Sequence, residues 1–482
     1  MRLEPGSDKY IALDRTQTKM APKLSKILYL PMEIASRELD SRLLLATIAA
    51  SHGFEIVLGQ KWLIERNIER MTPGVYLSKT LTVRDSKMLT RAKEAGYVTA
   101  AIDEEIPGLY VRDKKFWWVS SRAVEATDLI FLPGSFNGQG FTESFGLAPG
   151  RVRQAANPRW DLLRKELRSV FEAEAAEYRR RFGNFILVNS NLGFTNSHKG
   201  SAAEMLKSII DQGKIDPSDT ELMGQFKDFE VMEHANRAAL IDLFPKLAQE
   251  FPDHRIILRP HPSEVTETWQ RWTEGFPNLS IVREGAAIPW IMAAKVLIHT
   301  NCTTGVEAVA LDRPSLCLVP AENPANRRYL ANQINPVMRT TEDVIAATRR
   351  IQADPDSCYD SEMIARFRDF LSYDSKRLGS EQMMSAIEEF GAAHSGWSDV
   401  SNGVSAWRPM LGYRWHQPDK NVRGELFPPV DLNAVAARLE QFSSLLGLDG
   451  QLKIQTCGTK VLLVSPRALP ISTRIRRAVG RW

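Results

Sequence analysis

Short apolar runs, each breaking into a polar or glycine-containing turn, alternate along the chain with stretches of helical period. Ile27 to Pro31, Phe54 to Gly59, Val75 to Leu77, Tyr97 to Ile102, Asp128 to Gly134 and Arg151 to Ala155 predict the strands of a first unit. Ser36 to His52 and Ser86 to Ala95 supply helices between them. Continuous apolar runs separated by helices are the pattern of a parallel sheet buried on both faces. Gly134 to Gly140 reads as a glycine-rich loop, and Trp160 to Phe182 as one long charged helix connecting the first unit to a second.

The alternation restarts at Asn184 to Asn191, whose strand runs into a polar loop, Asn189 to Gly200. Residues 200–230 carry little pattern, and Phe229 to Phe251 is helical. Ile256 to Leu258 then leads into Arg259-Pro260-His261-Pro262-Ser263-Glu264, and Val296 to Ile298 into His299-Thr300-Asn301-Cys302-Thr303-Thr304-Gly305-Val306-Glu307-Ala308. A strand Leu279 to Val282, a helix Ile288 to Ala294, a helix from about Thr304 to Leu311 and a strand Pro314 to Val319 fill in the second unit. Surface helices come next, and from about 392 to 430 the sequence turns to Gly, Ser, Pro and Trp without period before a helix at Asp431 to Leu446. The expected organisation is a flexible lead (1–25), a first domain (26–160), a linking helix (161–183), a second domain (184–391) and an irregular, partly helical C-terminal extension (392–482). The fold class is α/β, with two Rossmann-like parallel-sheet domains facing across a cleft.

Composition narrows the function. The 482 residues exceed one ordinary core, and 43% hydrophobic with 25% charged residues is a globular balance. A net charge of +4 is too even for a dedicated nucleic-acid binder. Four scattered cysteines form no metal or redox spacing, and no run approaches the roughly 18 apolar residues of a membrane span. A cytoplasmic protein is expected. The stretch from Lys460 on is basic, with Arg467, Arg474, Arg476, Arg477 and Arg481 and no acid. An amphipathic tail of that kind can lie on an anionic leaflet at the inner face of the cytoplasmic membrane, and a solubilising terminus is the other reading.

Candidate chemistry gathers at strand ends. His261, fixed between two prolines, can donate to a phosphate oxygen, and Arg259 offers a planar fork. Asn301 or Thr303 can cap the helix after the second cluster, Gly305 allows close backbone approach, and the helix start favours phosphate. Glu307 can accept from ribose hydroxyls or act as a cap. The loop that carries Asn189 and Asn191 offers further N–H groups to an anion. In the first unit, Asp103-Glu104-Glu105 closes a strand. Asn157-Pro158-Arg159-Trp160-Asp161 reads as a hinge, with Asn157 extended before proline and Arg159 and Asp161 locking the junction.

Taken in order over roughly residues 27–390, Asp103-Glu104-Glu105, Asn157-Pro158-Arg159-Trp160-Asp161, Arg259-Pro260-His261-Pro262 and the run from His299 to Ala308 together resemble the bacterial surface carbohydrate (surface polysaccharide) biosynthesis proteins, a GT-B-like group. The His261-Pro262 pair is also similar to the motif of bacterial sialyltransferases and capsule β-Kdo transferases. The resemblance implies a glycosyltransferase that moves a sugar from a nucleotide donor, CMP-Kdo or a related acid sugar, to a glycan or lipid-linked acceptor. It further implies His261 near the donor phosphate, Thr303, Thr304 and Gly305 on phosphate too, and Asp103, Glu104 or Glu105 as base; Arg259, Pro262, Glu264, Asn301, Glu307, Asn189 and Asn191 complete the donor-binding set expected from the residues themselves. No Asp-X-Asp metal signature closes a strand, so metal-independent displacement without a cofactor is expected. The rival readings are a UDP-sugar 2-epimerase, a teichoic-acid-type polyol-phosphate transferase and a non-catalytic scaffold of polysaccharide assembly.

Overall fold

After a two-residue strand β1 (Leu24–Ser25), the chain lays down β2 (Ile27–Met32), β3 (Glu55–Gln60), β4 (Val75–Ser78), β5 (Val98–Ile102), β6 (Leu129–Leu132) and β7 (Val152–Gln154). From β2 to β7 every pairing is parallel. The computed structural model describes residues 24–104, 116, 118–213, 215–373, 376–394, 396–398, 427–448, 452–457 and 459–466. Leu28, Leu30, Ile56 and Leu58 face one side of this sheet, and Ile27, Tyr29 and Val57 the other; all are fully buried. Because side chains alternate between two covered faces, the strands read as continuous apolar runs.

A second sheet is wholly parallel: β8 (Phe185–Asn189), β9 (Arg255–Arg259), β10 (Leu279–Ile281), β11 (Val296–His299), β12 (Ser315–Leu318) and β13 (Val337–Met338), in spatial order β10-β9-β8-β11-β12-β13. The chain therefore builds outward from β8 to β10 and returns on the other side through β11. Such a reversal opens a crevice beyond the strands' carboxyl ends. The first sheet reverses in the same way between β2 and β4, which lie side by side. One apolar cluster runs from Leu28 and Leu58 through Trp160, Phe171 and Trp290 to Leu187 and Leu297, so the two sheets share packing.

The chain closes through β14 (Trp397–Ser398), paired with β1, and through a hairpin of β15 (Leu452–Thr456) and β16 (Val461–Pro466). β16 pairs antiparallel with β3, extending the first sheet to eight strands. The sequence reading leaves this region irregular and helical. Its signal is weak because β15 is only partly buried and carries no regular alternation.

Three other expectations are corrected. Gly134 to Gly140 is not a loop, since Ser135–Phe145 is a helix. A Cβ at Gly134 would lie 2.1 Å from the Phe370 carbonyl oxygen, so that glycine serves close packing. Trp160 to Phe182 is not one helix but a short turn Pro158–Asp161, a 3-10 turn Arg168–Phe171 and a helix Glu172–Phe182. Within residues 200–230 lie a helix Ala202–Asp211 and the start of a long helix Thr220–Glu250. Among the described residues no helix is long and apolar enough to cross a membrane. The basic tail from Arg467 and the third acid of the triplet, Glu105, lie outside the described residues.

Candidate functional site

Glu264 is the organiser of the second sheet's crevice. Its fully buried carboxylate accepts from Ser190 Oγ at 2.9 Å, Leu192 N at 3.0 Å, His261 N at 3.1 Å, Asn196 Nδ2 at 3.2 Å and Trp269 Nε1 at 3.0 Å. Its acceptor sites are therefore spent on tying the 190–196 loop to the His261 turn, and the expectation that Glu264 contacts a donor is corrected. His261 is set by its neighbour. Ser263 N–H donates to Nδ1 at 3.2 Å and Ser263 Oγ lies 2.7 Å from the same atom. With Nδ1 accepting, the ring's proton sits on Nε2. Burial, helped by the charges of Arg37 and Arg283, pushes the His261 pKa down to about 4, so the ring is neutral at pH 7.

Arg259 is partly engaged within the protein, and its buried Nε has no partner among the described residues. Its Nη2 donates to the carbonyls of Glu284 and Gly285, each at 3.0 Å, and its guanidinium lies over the Trp290 ring, 5.1 Å from the centroid. Burial lowers its pKa to about 10, opposed by Tyr178, Glu284 and Glu307. The Pro262 carbonyl accepts from Arg283.

Beyond β11, the helix Thr303–Ala310 starts at Cys302 without a side-chain cap, so neither Asn301 nor Thr303 caps it. Asn301 adopts a left-handed backbone, φ 52°, which asparagine tolerates better than most residues. Its side chain is taken up by Asn326 at 3.2 Å and Asn332 at 2.6 Å, while its carbonyl accepts from Asn191 Nδ2 at 2.9 Å. Asn189 Nδ2 donates to Thr304 Oγ1 at 3.1 Å. These amides brace the two loops against each other. Gly305 also has a different task from the one expected, because a Cβ there would lie 2.1 Å from His299 Nε2. The glycine makes room for a buried imidazole, and burial holds His299 neutral with a pKa of about 3.

The first sheet brings charge to its own reversal point. Lys79, just after β4, pairs with Glu33 at 3.0 Å and Glu38 at 3.1 Å, and Lys61, just after β3, pairs with Asp85 at 2.6 Å and Glu33 at 3.2 Å. Burial would raise the Glu33 pKa, but Lys79 and Lys61 outweigh it and hold it at about 2. After β5, Asp103 is buried and accepts from Trp118 Nε1 at 3.2 Å. Glu104 bonds the fully buried Arg42 at 3.2 Å. Although burial opposes it, the charges of Arg42, Lys79, Arg37 and Arg159 pull the Glu104 pKa below the usual carboxylate range. None of Glu33, Arg37, Glu38, Arg42, Lys61 or Lys79 stood out in the sequence. Position directly after a parallel strand would have flagged Glu33, Lys61 and Lys79.

The two halves meet. Arg37, in the first turn of the helix Ala35–Ser51, adds positive charge that helps lower the pKa of both Glu104 and His261. Arg159 bonds Glu307 on the helix after β11 and also acts on Glu104. The expected Arg159–Asp161 lock is replaced by two separate ties. Asp161 accepts from Gly379 N at 2.8 Å, Ser380 N at 2.8 Å and Ser380 Oγ at 2.7 Å, anchoring the start of the helix Gly379–His394. Burial raises its pKa to about 6 against those hydrogen bonds. Asn157 caps its own turn, accepting from Arg159 N at 2.9 Å.

No protein-family model and no curated protein sequence matches the chain. Among solved structures, the wall teichoic acid polymerase TagF, with a histidine-to-alanine substitution, matches with a TM-score of 0.50 at 12% identity, covering 77% of this chain and 90% of that one. UDP-GlcNAc 2-epimerase from Methanocaldococcus jannaschii matches with a TM-score of 0.46 at 10% identity, covering 76% and 99%. HepE from Anabaena, in complex with UDP and glucose, matches with a TM-score of 0.40 at 11% identity, covering 75% and 98%. At these identities the likeness is one of fold, and the fold is GT-B: two parallel-sheet units with helices on their faces.

Proposed function

We propose that this chain is a GT-B glycosyltransferase of cell-surface polymer assembly, drawing a sugar from a nucleotide donor held at the carboxyl ends of β8, β9 and β11. The observation that carries the reading is the hydrogen bond from Arg159, in the turn that follows the first sheet, to the buried Glu307 on the helix after β11, which ties the acid-bearing strand ends of one half to the His261 crevice of the other. A transfer enzyme needs that juxtaposition: donors for a leaving phosphate on one side and a carboxylate for the acceptor hydroxyl on the other.

In this reading the acceptor oxygen attacks the anomeric carbon, the bond to the donor phosphate breaks, and the hydroxyl proton passes to a carboxylate of the triplet. The neutral His261 ring offers its Nε2–H to the leaving phosphate. Arg37 adds positive charge where negative charge grows. Thr303 and Thr304 at the helix start extend the donor set, and Glu307 keeps its second oxygen, Oε2, buried and unpartnered for a donor hydroxyl. Asp103 fits the base better than Glu104, whose depressed pKa makes it a weak one. CMP-Kdo or a related acid sugar is the proposed donor, a lipid-linked glycan the proposed acceptor, and the cytoplasmic membrane surface the proposed location. The second reading is polyol-phosphate transfer of the teichoic-acid type, favoured by the TagF match, where the bond broken would be a phosphoanhydride.

Thermal denaturation with CMP, CDP, UDP and GDP separates the readings. A nucleotide at about 100 times its dissociation constant stabilises by roughly 2.7 kcal/mol. CMP stabilisation lost in His261→Ala supports acid-sugar transfer, and a preference for CDP supports the polyol-phosphate reading. If none of the four shifts the transition, the donor-site reading fails.

A further inference from the structure

The amino ends of β8, β11 and β12 lie at the edge of the second sheet opposite the crevice. There a hollow of about 490 Å³ is walled by Arg179, Lys295 and Arg313 over Gly183, Met292 and Ala293, and no carboxylate lines it. Small-ligand sites span about 300–1,000 Å³.

Part of this charge answers to local structure. The helices Glu172–Phe182 and Ala287–Ala293 both end here, and their last carbonyls and negative dipole ends favour cations. Arg179 Nη1 donates to the Met292 carbonyl at 3.3 Å and Arg313 Nη2 to the Ala294 carbonyl at 2.5 Å. Arg179 is further neutralised by Glu172. Those contacts leave two donors over. Arg313 Nε is buried without a partner, and the exposed Lys295 ammonium has neither a hydrogen bond nor an ion pair among the described residues. Burial, then the like charges of Arg179 and Arg168, hold the Arg313 pKa below its usual value against the opposing pull of Glu172 and Tyr359.

We infer that this hollow is a second anion site, built for a phosphate or diphosphate group and separate from the crevice. A soluble phosphate ester and an anionic lipid headgroup present the same chemistry to Lys295 and Arg313. Either would supply the acceptor oxygens that Arg313 Nε and Lys295 Nζ lack.

The test is calorimetric titration of the full-length chain with inorganic pyrophosphate at low ionic strength, in a His261→Ala background that weakens the crevice. Binding is expected to persist in that parent and to weaken at least about tenfold in Lys295→Ala/Arg313→Gln, since each lost charge-assisted bond is worth a severalfold change or more. Lys295→Ala alone removes an exposed, unbonded side chain, so it decides the matter if the double variant does not fold. Co-sedimentation with phosphatidylglycerol vesicles, against phosphatidylcholine vesicles, identifies the source. Loss of pelleting in the Lys295 variant marks a lipid headgroup, and unchanged pelleting with weakened pyrophosphate binding marks a soluble phosphate. Both support the site. Unchanged pyrophosphate affinity in the variants, or no binding in the parent, would mean that these cations serve the two helix ends alone.

Discussion

Arg159 bonds Glu307, joining the turn after the first sheet to the helix after β11. Glu307 is fully buried and its other oxygen has no partner, so the pair is the main compensation for that charge. Arg159→Ala is expected to destabilise the protein by roughly 3 kcal/mol in urea unfolding, because it strands a buried carboxylate. Glu307→Gln should reduce that loss in a double-mutant cycle. A change within about 0.5 kcal/mol, the level of ordinary surface substitutions, would mean that the pair does not hold the junction.

Gly305→Ala should destabilise by about 1–3 kcal/mol, as overpacking of a core does, because the new methyl meets the His299 ring. His299→Ala in the same chain opens space for it. The two losses should then sum to less than their separate values, and strict additivity would argue against the packing account.

The pH dependence of stability has a definite sign at His299. Its pKa is about 3 in the folded chain against a usual 6.5, so the unfolded chain binds the proton first. Stability therefore falls as pH drops from 6.5 towards 3, with a slope approaching about 1.4 kcal/mol per pH unit from this ring. In His299→Gln the slope between pH 6 and pH 4 should be shallower by about that amount. Equal slopes in urea titrations of the two proteins would contradict the neutral buried ring.

Asp161→Ala removes three hydrogen bonds at the start of the helix Gly379–His394 and should cost about 2 kcal/mol. The Asp161 pKa is raised to about 6, so its contribution is greatest at low pH and declines as pH rises from 3.8 through 6. The difference from wild type should be larger at pH 5 than at pH 7.5. Guanidinium unfolding at both pH values measures it.

Asp103→Asn and Glu104→Gln are expected to fail differently. The first should lower turnover about 10²- to 10⁴-fold while the melting temperature holds, as loss of a general base does. The second should chiefly lower the melting temperature, because it leaves the Arg42 guanidinium buried without its counter-charge. The same loss of turnover in both, with equal melting temperatures, would remove the distinction between base and anchor.

Much of the fold is legible in the apolar runs, since strands such as β2, β8 and β11 are buried on both faces and each ends in a polar turn. The hairpin β15–β16 is not, because it depends on an edge made by β3, far away in sequence. His261 and Glu307 stand out by motif and follow the carboxyl ends of β9 and β11. What local sequence does not carry is how each polar group is spent. Glu264, Asn301 and Gly305 look like ligand contacts and turn out to be occupied by Trp269, Asn332 and His299. Arg37 and Arg42 look like ordinary helix-surface arginines, and only the pairing of β2 with β4 and β4 with β5 brings them to the first sheet's reversal point.

The place of β16 also leaves one edge of the first sheet to be covered late. Val461 to Val464 are fully buried between β3 and β15, so the first sheet keeps an open apolar flank until the last described strand has left the ribosome. The whole second sheet emerges before β16 does, so the β3 edge is the last part of the first sheet to be covered. Loss of the chain beyond Lys460 would bare the edge of β3 permanently, turning a covered sheet into a template for intermolecular strand pairing.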